Sequence, residues 1–193
     1  LQTSLDAQLH LPAGYSISYG GAYSEQQQSF RELMMILSLA VLLVFAVLMF
    51  LFREWRISLT VLFISVLGIC GCLLALWLTG VPLNVSSYTG IIMVVGIIAE
   101  NAIFTVWQYR MNRRTGGDVS EAVDYAIALR IRPKLMTAIG AVLALMPLAL
   151  GIGLGAQMQQ PLAVAVIGGF IVGLPLLLLV LPSIMLLIYK KSK

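Results

Sequence analysis

Long apolar runs separated by short polar segments make up most of the chain. Five of these runs are close to the roughly 20 residues that a helix needs to cross a bilayer at about 1.5 Å per residue. They predict membrane-spanning helices over residues 30–52, 57–78, 87–108, 133–150 and 162–188. The predicted fold class is therefore an all-α membrane protein. Small residues in the second run, Gly68, Gly71 and Ala75, permit close helix contact in lipid.

The segments outside the five runs have different patterns. In residues 1–29, leucines at helical spacing are followed by tyrosine and isoleucine alternating with serine, which predicts a small α+β remnant of a soluble domain. Residues 119–130 predict a helix whose apolar side lies on the membrane surface. Pro133 would then fall in the first turn of the fourth span, where its missing N–H costs nothing. Residues 190–193 form a short tail.

The composition agrees with a membrane protein and argues against an enzyme. The chain is 60% hydrophobic and 10% charged, whereas soluble domains carry about 25% charged residues. No Ser/His, Cys/His or metal-ligand constellation is present, so we expect neither catalysis nor a cofactor. The nine methionines have no ligand-like spacing, which favours ordinary packing over a metal site.

The basic residues predict the orientation of the spans. Of the twelve lysines and arginines, two lie between spans one and two, six between spans three and four, three at the C-terminus, and one, Arg31, near the start of span one. The two loops on the other side contain none. By the positive-inside rule the C-terminus is cytoplasmic and residues 1–29 lie on the periplasmic side. The net charge of +4 is thus explained by topology and does not indicate nucleic-acid binding.

The third run contains a carboxylate, Glu100, followed by Asn101. An ionisable side chain within a membrane span is costly and usually faces a bundle interior or a wet cavity, where it takes part in ion or substrate movement. A structural carboxylate bonded to a neighbouring helix is the alternative. Burial disfavours the charged form of a carboxylate and a nearby cation favours it, so a balanced group can exchange protons near neutral pH. We therefore hypothesise that Glu100 gains and loses a proton.

Four further residues complete the hypothetical proton relay. Asn101 and Thr137 would supply hydrogen bonds or hold water, and Lys134 and Arg130 are the candidate cations. Glu100 lies roughly 15 Å from the cytoplasmic edge, whereas Lys134 would lie near it. An ion pair between them requires an earlier start of the fourth span or an intervening water. The alternatives are headgroup anchoring for the basic residues and a bond from Thr137 to its own helix.

Four stretches resemble one family of transporters. They are FRELMMILSLAVLLVFAVLMFLF at 30–52, GIIMVVGIIAENAIF at 90–104, RIRPKLMTAIG at 130–140 and GAQMQQPLAVAVIGGF at 155–170. The chain resembles the C-terminal part of a resistance-nodulation-division (RND) efflux permease, from the end of its second periplasmic porter domain through its last five transmembrane helices. Glutamate at position 100, where drug exporters commonly have lysine, together with Lys134, resembles the heavy-metal branch.

The resemblance implies a proton-driven pump in the bacterial inner membrane. Such a permease works as a homotrimer with a periplasmic adaptor protein and an outer-membrane channel, and exports metal cations or xenobiotics. Because Leu1 enters in what looks like the middle of a domain, we expect a fragment whose N-terminal half is missing. A non-pumping scaffold or sensor module, and a protein- or lipid-export relative of the same superfamily, are the alternatives.

Overall fold

The computed structural model describes residues 22–114, 116 and 118–190. In this part of the chain there are five helices and no strand: α1 (Ala22–Phe52), α2 (Trp55–Thr79), α3 (Val85–Arg114), α4 (Val119–Ala149) and α5 (Ala156–Lys190). Each helix contains a stretch long and apolar enough to cross a membrane. This confirms the predicted all-α membrane fold. The α+β remnant predicted over residues 1–29 falls mainly on residues 1–21, which lie outside the described residues, and residues 22–29 form the beginning of α1.

The helix α4 differs from its prediction. The surface helix expected over 119–130 and the span expected over 133–150 form one continuous helix, with Pro133 and Pro147 inside it. Proline removes one backbone hydrogen bond, but its fixed φ of about −65° suits a helix, and neighbouring groups in a membrane bundle satisfy the freed backbone. Pro133 therefore does not mark the first turn of the span.

The turn before α5 is shorter than predicted. Residues 151–161 are expected to form a loop, but α5 already begins at Ala156 and has Pro161 inside it. The reversal from α4 is made in the few residues from Leu150 to Gly155, where Gly151, Gly153 and Gly155 all have positive φ. Residues with a side chain rarely adopt a positive φ, whereas glycine does so readily, and the three glycines therefore permit so short a turn.

The core of the bundle lies between α2, α3 and α5. Glycines bring α2 and α5 close together: a Cβ placed on Gly168 would lie 2.3 Å from the Cβ of Ala75 and 2.7 Å from the carbonyl oxygen of Gly71. Large buried side chains of α3, among them Val94 and Ile98, close the third side. Helices α1 and α4 flank this core and have few buried side chains. One face of α3 is consequently left open between them.

A polar network ties together three helices at the end of the bundle that carries most of the basic residues. The hydroxyl of Tyr189 donates to Glu54 Oε2 at 2.8 Å, and Arg110 lies 3.4 Å from Glu54 Oε1. Arg110 also donates to the backbone carbonyls of Leu51 and Phe52, the last residues of α1. The rings of Tyr109 and Tyr189 stack at 4.7 Å between centroids. The α1–α2 turn is thereby fixed to the ends of α3 and α5.

Replacing Tyr189 with phenylalanine tests this network. The ring stays to stack on Tyr109, but the hydrogen bond to Glu54 is lost, so we expect a loss of about 1 kcal/mol in the free energy of unfolding. Thermal unfolding of the purified protein measures the change. Tyr125→Phe is the matched control, because Tyr125 is exposed on α4. Equal stability of the two variants would contradict a structural role for the network.

Candidate functional site

All five residues of the predicted relay line one cavity of about 370 Å³ between α3, α4 and α5. Two of them, Glu100 and Asn101, come from α3. The other three, Arg130, Lys134 and Thr137, come from α4. Phe170 and Leu174 of α5 form part of its apolar wall.

The helical repeat explains why these residues share a cavity. Side chains three and four positions apart lie on one face of a helix. Ile97, Glu100, Asn101 and Phe104 follow that spacing on α3, and Arg130, Pro133, Lys134 and Thr137 follow it on α4. The chemistry-bearing residues of the two helices thus face each other.

Lys134 is buried against α3, with only 6% of its surface exposed. Its Nζ donates to the hydroxyl oxygen of Thr105 at 2.7 Å and to the backbone carbonyl of Asn101 at 3.1 Å. A buried ammonium is costly unless it is hydrogen-bonded, and these two acceptors offset part of that cost. Because α4 begins at Val119, Lys134 lies well inside the helix. The early start of the helix that an approach to α3 requires is therefore present, and the ammonium group of Lys134 is directed at α3.

Glu100 lies at the open side of the cavity, on the exposed face of α3. It makes no hydrogen bond or ion pair with any residue in the described ranges, and the ion pair with Lys134 is absent. Glu100 also lines a second, apolar cavity of about 300 Å³ between α1 and α3. The Glu100 side chain therefore lies between the cavity that contains Arg130 and Lys134 and the apolar cavity next to α1.

The other relay residues bond mainly to their own helices. The Asn101 side chain donates to the carbonyl of Ile97 at 2.9 Å. The hydroxyl of Thr137 lies 3.0 Å from the carbonyls of both Pro133 and Lys134, which is the backbone bonding that the sequence leaves open as an alternative. Both side chains remain in the cavity wall, and their part in a relay stays a prediction.

Arg130 of α4 contacts α3 at the aromatic ring of Phe104. Its guanidinium carbon lies 4.9 Å from the centroid of Phe104, a cation–π contact. Its Nε is buried and has no hydrogen-bond partner in the part of the chain that is described. By contrast, Arg132 is exposed and does not line the cavity. The two arginines therefore differ, and only Arg130 belongs to the site.

Sequence reasoning missed two residues of the site, Thr105 and Phe104. Thr105 follows Asn101 by four positions, and its hydroxyl also donates to the carbonyl of Asn101 at 2.9 Å. Phe104 follows Glu100 by the same interval and lines the same cavity. Both stand on the face that carries the Glu-Asn pair, so the spacing along α3 could have revealed them.

The cavity has an excess of positive charge. Arg130 and Lys134 bring two cationic groups, and Glu100 is the one carboxylate among the lining residues. No group of three or more His, Cys, Asp or Glu able to hold a metal occurs in the described residues. The arrangement places one carboxylate and two cationic side chains in the wall of the same cavity.

Comparison with known proteins gives a consistent result over nearly the whole chain. The family model described as the AcrB/AcrD/AcrF family matches residues 1–189. The cobalt-zinc-cadmium resistance protein CzcA of Cupriavidus metallidurans is 33% identical over 192 residues, covering 100% of this chain and 18% of CzcA. The multidrug resistance protein MdtC of Erwinia tasmaniensis is 36% identical over 181 residues, covering 92% of this chain and 18% of MdtC.

A crystal structure of a heavy metal efflux pump has the same fold over this region. It matches with a TM-score of 0.77 and 34% identity, covering 98% of this chain and 19% of the pump. The nickel and cobalt resistance protein CnrA of Cupriavidus metallidurans is 33% identical over 184 residues, covering 95% of this chain and 17% of CnrA. The chain thus spans less than a fifth of the length of these relatives.

Proposed function

Because the chain belongs to the AcrB/AcrD/AcrF family of RND efflux permeases, we propose that it is the C-terminal transmembrane half of a permease that exports its substrate by proton antiport. The cavity between α3, α4 and α5 carries this proposal. It brings a carboxylate on the open face of α3 into the same cavity as two cationic groups of α4. Ionisable groups at such a depth are costly and are typical of proton pathways.

Glu100 is the proton-carrying group in this mechanism. When Glu100 is protonated it is neutral and fits the apolar space between α1 and α3. When it is ionised, the cations of α4 favour its charge and attract it towards Lys134. Lys134 would then exchange its bonds to Thr105 and to the Asn101 carbonyl for the carboxylate. Proton uptake and release thus change which groups of α3 and α4 are paired, and this change is coupled to transport.

The missing half of the permease supplies the second acid. Two cationic groups and one carboxylate leave the cavity positively charged, and buried charges require partners. The open face of α3, on which Glu100 lies exposed, is where a helix from that half would pack. A carboxylate there would pair with Lys134 or Arg130 and complete the relay.

Metal cations are the proposed substrates, and xenobiotics are the second candidate. CzcA and CnrA are named for resistance to cobalt, zinc, cadmium and nickel, whereas MdtC is named for multidrug resistance. The permease would work as a homotrimer in the bacterial inner membrane, with a periplasmic adaptor and an outer-membrane channel. The positions of the basic residues favour a cytoplasmic C-terminus and a periplasmic N-terminal segment.

Replacing Lys134 with methionine in the full-length permease tests this function. Methionine keeps an apolar stem of similar length but removes the ammonium, so we expect the rate of proton-driven export to fall roughly 100-fold or more. Export of zinc, cobalt, nickel, cadmium, silver and a lipophilic dye is measured in proteoliposomes with an imposed pH gradient. The substrate whose export is lost identifies the cargo.

Arg132→Met is the matched control. It removes a positive charge from the same helix at an exposed position outside the cavity, and we expect export to stay near the wild-type rate. Export by Lys134→Met at the control's rate would contradict the relay. A wild-type permease that exports none of these substrates under any pH gradient would favour a scaffold or sensor.

A further inference from the structure

A cavity of about 300 Å³, separate from the two that Glu100 lines, lies at the end of the bundle that carries most of the basic residues. It is formed by the α1–α2 turn and the last turn of α5, and is lined by Arg53, Glu54, Trp55, Arg56, Ile188 and Tyr189. Proton transfer as proposed uses none of these residues. The cavity combines exposed cationic groups, aromatic rings and an aliphatic side chain at the expected level of the lipid headgroups.

Local structure fixes the two arginines at the cavity. Arg53 has a φ of +53°, in the left-handed region, and its N–H closes α1 by donating to the Met49 carbonyl at 2.9 Å. Only two residues separate α1 from α2, so Arg56 follows in the first turn of α2. Its guanidinium carbon lies 5.6 Å from the centroid of the Trp55 ring. Neither arginine forms an ion pair with a residue in the described ranges.

The acidic residue of the cavity does not neutralise these arginines. Both carboxylate oxygens of Glu54 are already engaged, Oε1 with Arg110 and Oε2 with the hydroxyl of Tyr189. The Glu54–Arg110 pair is neutral as a unit, which leaves the two positive charges of Arg53 and Arg56 without compensation. The first turn of α2 contains no acidic residue, and no side chain caps it. The partial positive charge of a helix N-terminus therefore adds to that of the arginines.

We propose that this cavity binds the headgroup of an anionic phospholipid. A phosphodiester provides the negative charge and the acceptor oxygens that arginine side chains match best. Trp55, which is 59% exposed, is the type of residue that anchors at the headgroup level. Basic pockets beside membrane helices on the cytoplasmic side commonly bind such headgroups. Charge complementarity thus selects an anionic lipid over a zwitterionic one.

Lipid titration of the full-length permease, followed by native mass spectrometry, tests this site. Wild-type permease should retain dioleoyl phosphatidylglycerol in preference to dioleoyl phosphatidylethanolamine. Each basic residue near an anionic lipid surface contributes roughly a fivefold change in affinity, so the double variant R53Q/R56Q should bind phosphatidylglycerol about 25-fold more weakly. The exposed helix position of Arg56 makes R56Q a second variant that leaves the turn intact, with an expected loss of about fivefold.

The matched control is R114Q/R132Q, which removes two exposed positive charges outside this cavity. We expect it to retain phosphatidylglycerol like the wild type. Equal losses in the two double variants would reduce the effect to general surface charge and overturn the proposal. If millimolar inorganic phosphate displaces the bound lipid and the permease shows no preference between the two lipids, the cavity binds a free anion. That result would also overturn the proposal. Neither outcome depends on transport activity, so the proton relay is tested separately.

Discussion

Replacing Glu100 with glutamine is expected to abolish proton-driven export by the full-length permease while leaving its abundance unchanged. Glutamine has nearly the same size and keeps hydrogen-bonding capacity, but it cannot take up or release a proton. Loss of a positioned proton-transfer group typically costs a factor of about 100 to 10,000 in rate, and we expect a fall within that range. The measurement is the initial rate of metal or dye export from cells, normalised to permease level by immunoblot.

The control for Glu100→Gln is Glu121→Gln. Glu121 is exposed in the first turn of α4 and lies outside the cavity, so its neutralisation should leave export unchanged. Glu100→Asp provides a second comparison, because it retains an ionisable group on a shorter side chain and should retain part of the activity. Wild-type export by Glu100→Gln for every substrate would reduce Glu100 to a structural carboxylate.

Replacing Gly168 with alanine is expected to destabilise the bundle severely. The added methyl group would lie 2.3 Å from the Cβ of Ala75 and 2.7 Å from the carbonyl oxygen of Gly71, which is a backbone atom. Neither atom can move without shifting α2 away from α5. Overpacking of this kind costs about 1–3 kcal/mol and at times more. We expect a cost at or above the upper end, measured by thermal unfolding of the detergent-solubilised permease.

A compensating substitution distinguishes this clash from a general effect of alanine. Ala75→Gly removes the nearer of the two obstructing atoms, so Gly168→Ala combined with Ala75→Gly should recover part of the lost stability. Recovery should be incomplete, because the Gly71 carbonyl remains. Gly140→Ala is the matched control, since a Cβ at Gly140 meets nothing within 4 Å. Equal destabilisation by the two single glycine variants would contradict close packing of α2 against α5.

The length of the apolar runs is sufficient to predict the five helices, because a bilayer imposes a minimum length on each membrane-spanning helix. It was less informative about where the helices end. The division of α4 at Pro133 is the clearest example. Proline disfavours a helix interior in water, but packing in a bundle overrides that preference, and no local pattern around residues 130–134 reveals this.

The composition of the cavity was predictable because each helix places its polar residues on one face. Glu100 and Asn101 on α3, and Arg130, Lys134 and Thr137 on α4, follow from a 3.6-residue repeat once the two helices are paired. The partners of Lys134 were not predictable. Its contact with Thr105 depends on how far α3 and α4 are shifted relative to each other along their axes. This shift is a property of the tertiary structure, and the spacing of residues within one helix does not determine it.

The close contact between Gly71 and Gly168 has a consequence for the biogenesis of the protein. These two residues belong to the second and the last of the described helices, almost one hundred positions apart in the sequence. At a synthesis rate of about 5–20 residues per second, α2 stays in the membrane for roughly 5–20 seconds before α5 emerges. Throughout that interval the surface of α2 around Gly71 cannot be covered by its partner Gly168. Because α5 also supplies buried core residues such as Leu177 and Leu181, the core is completed only after α5 has been synthesised.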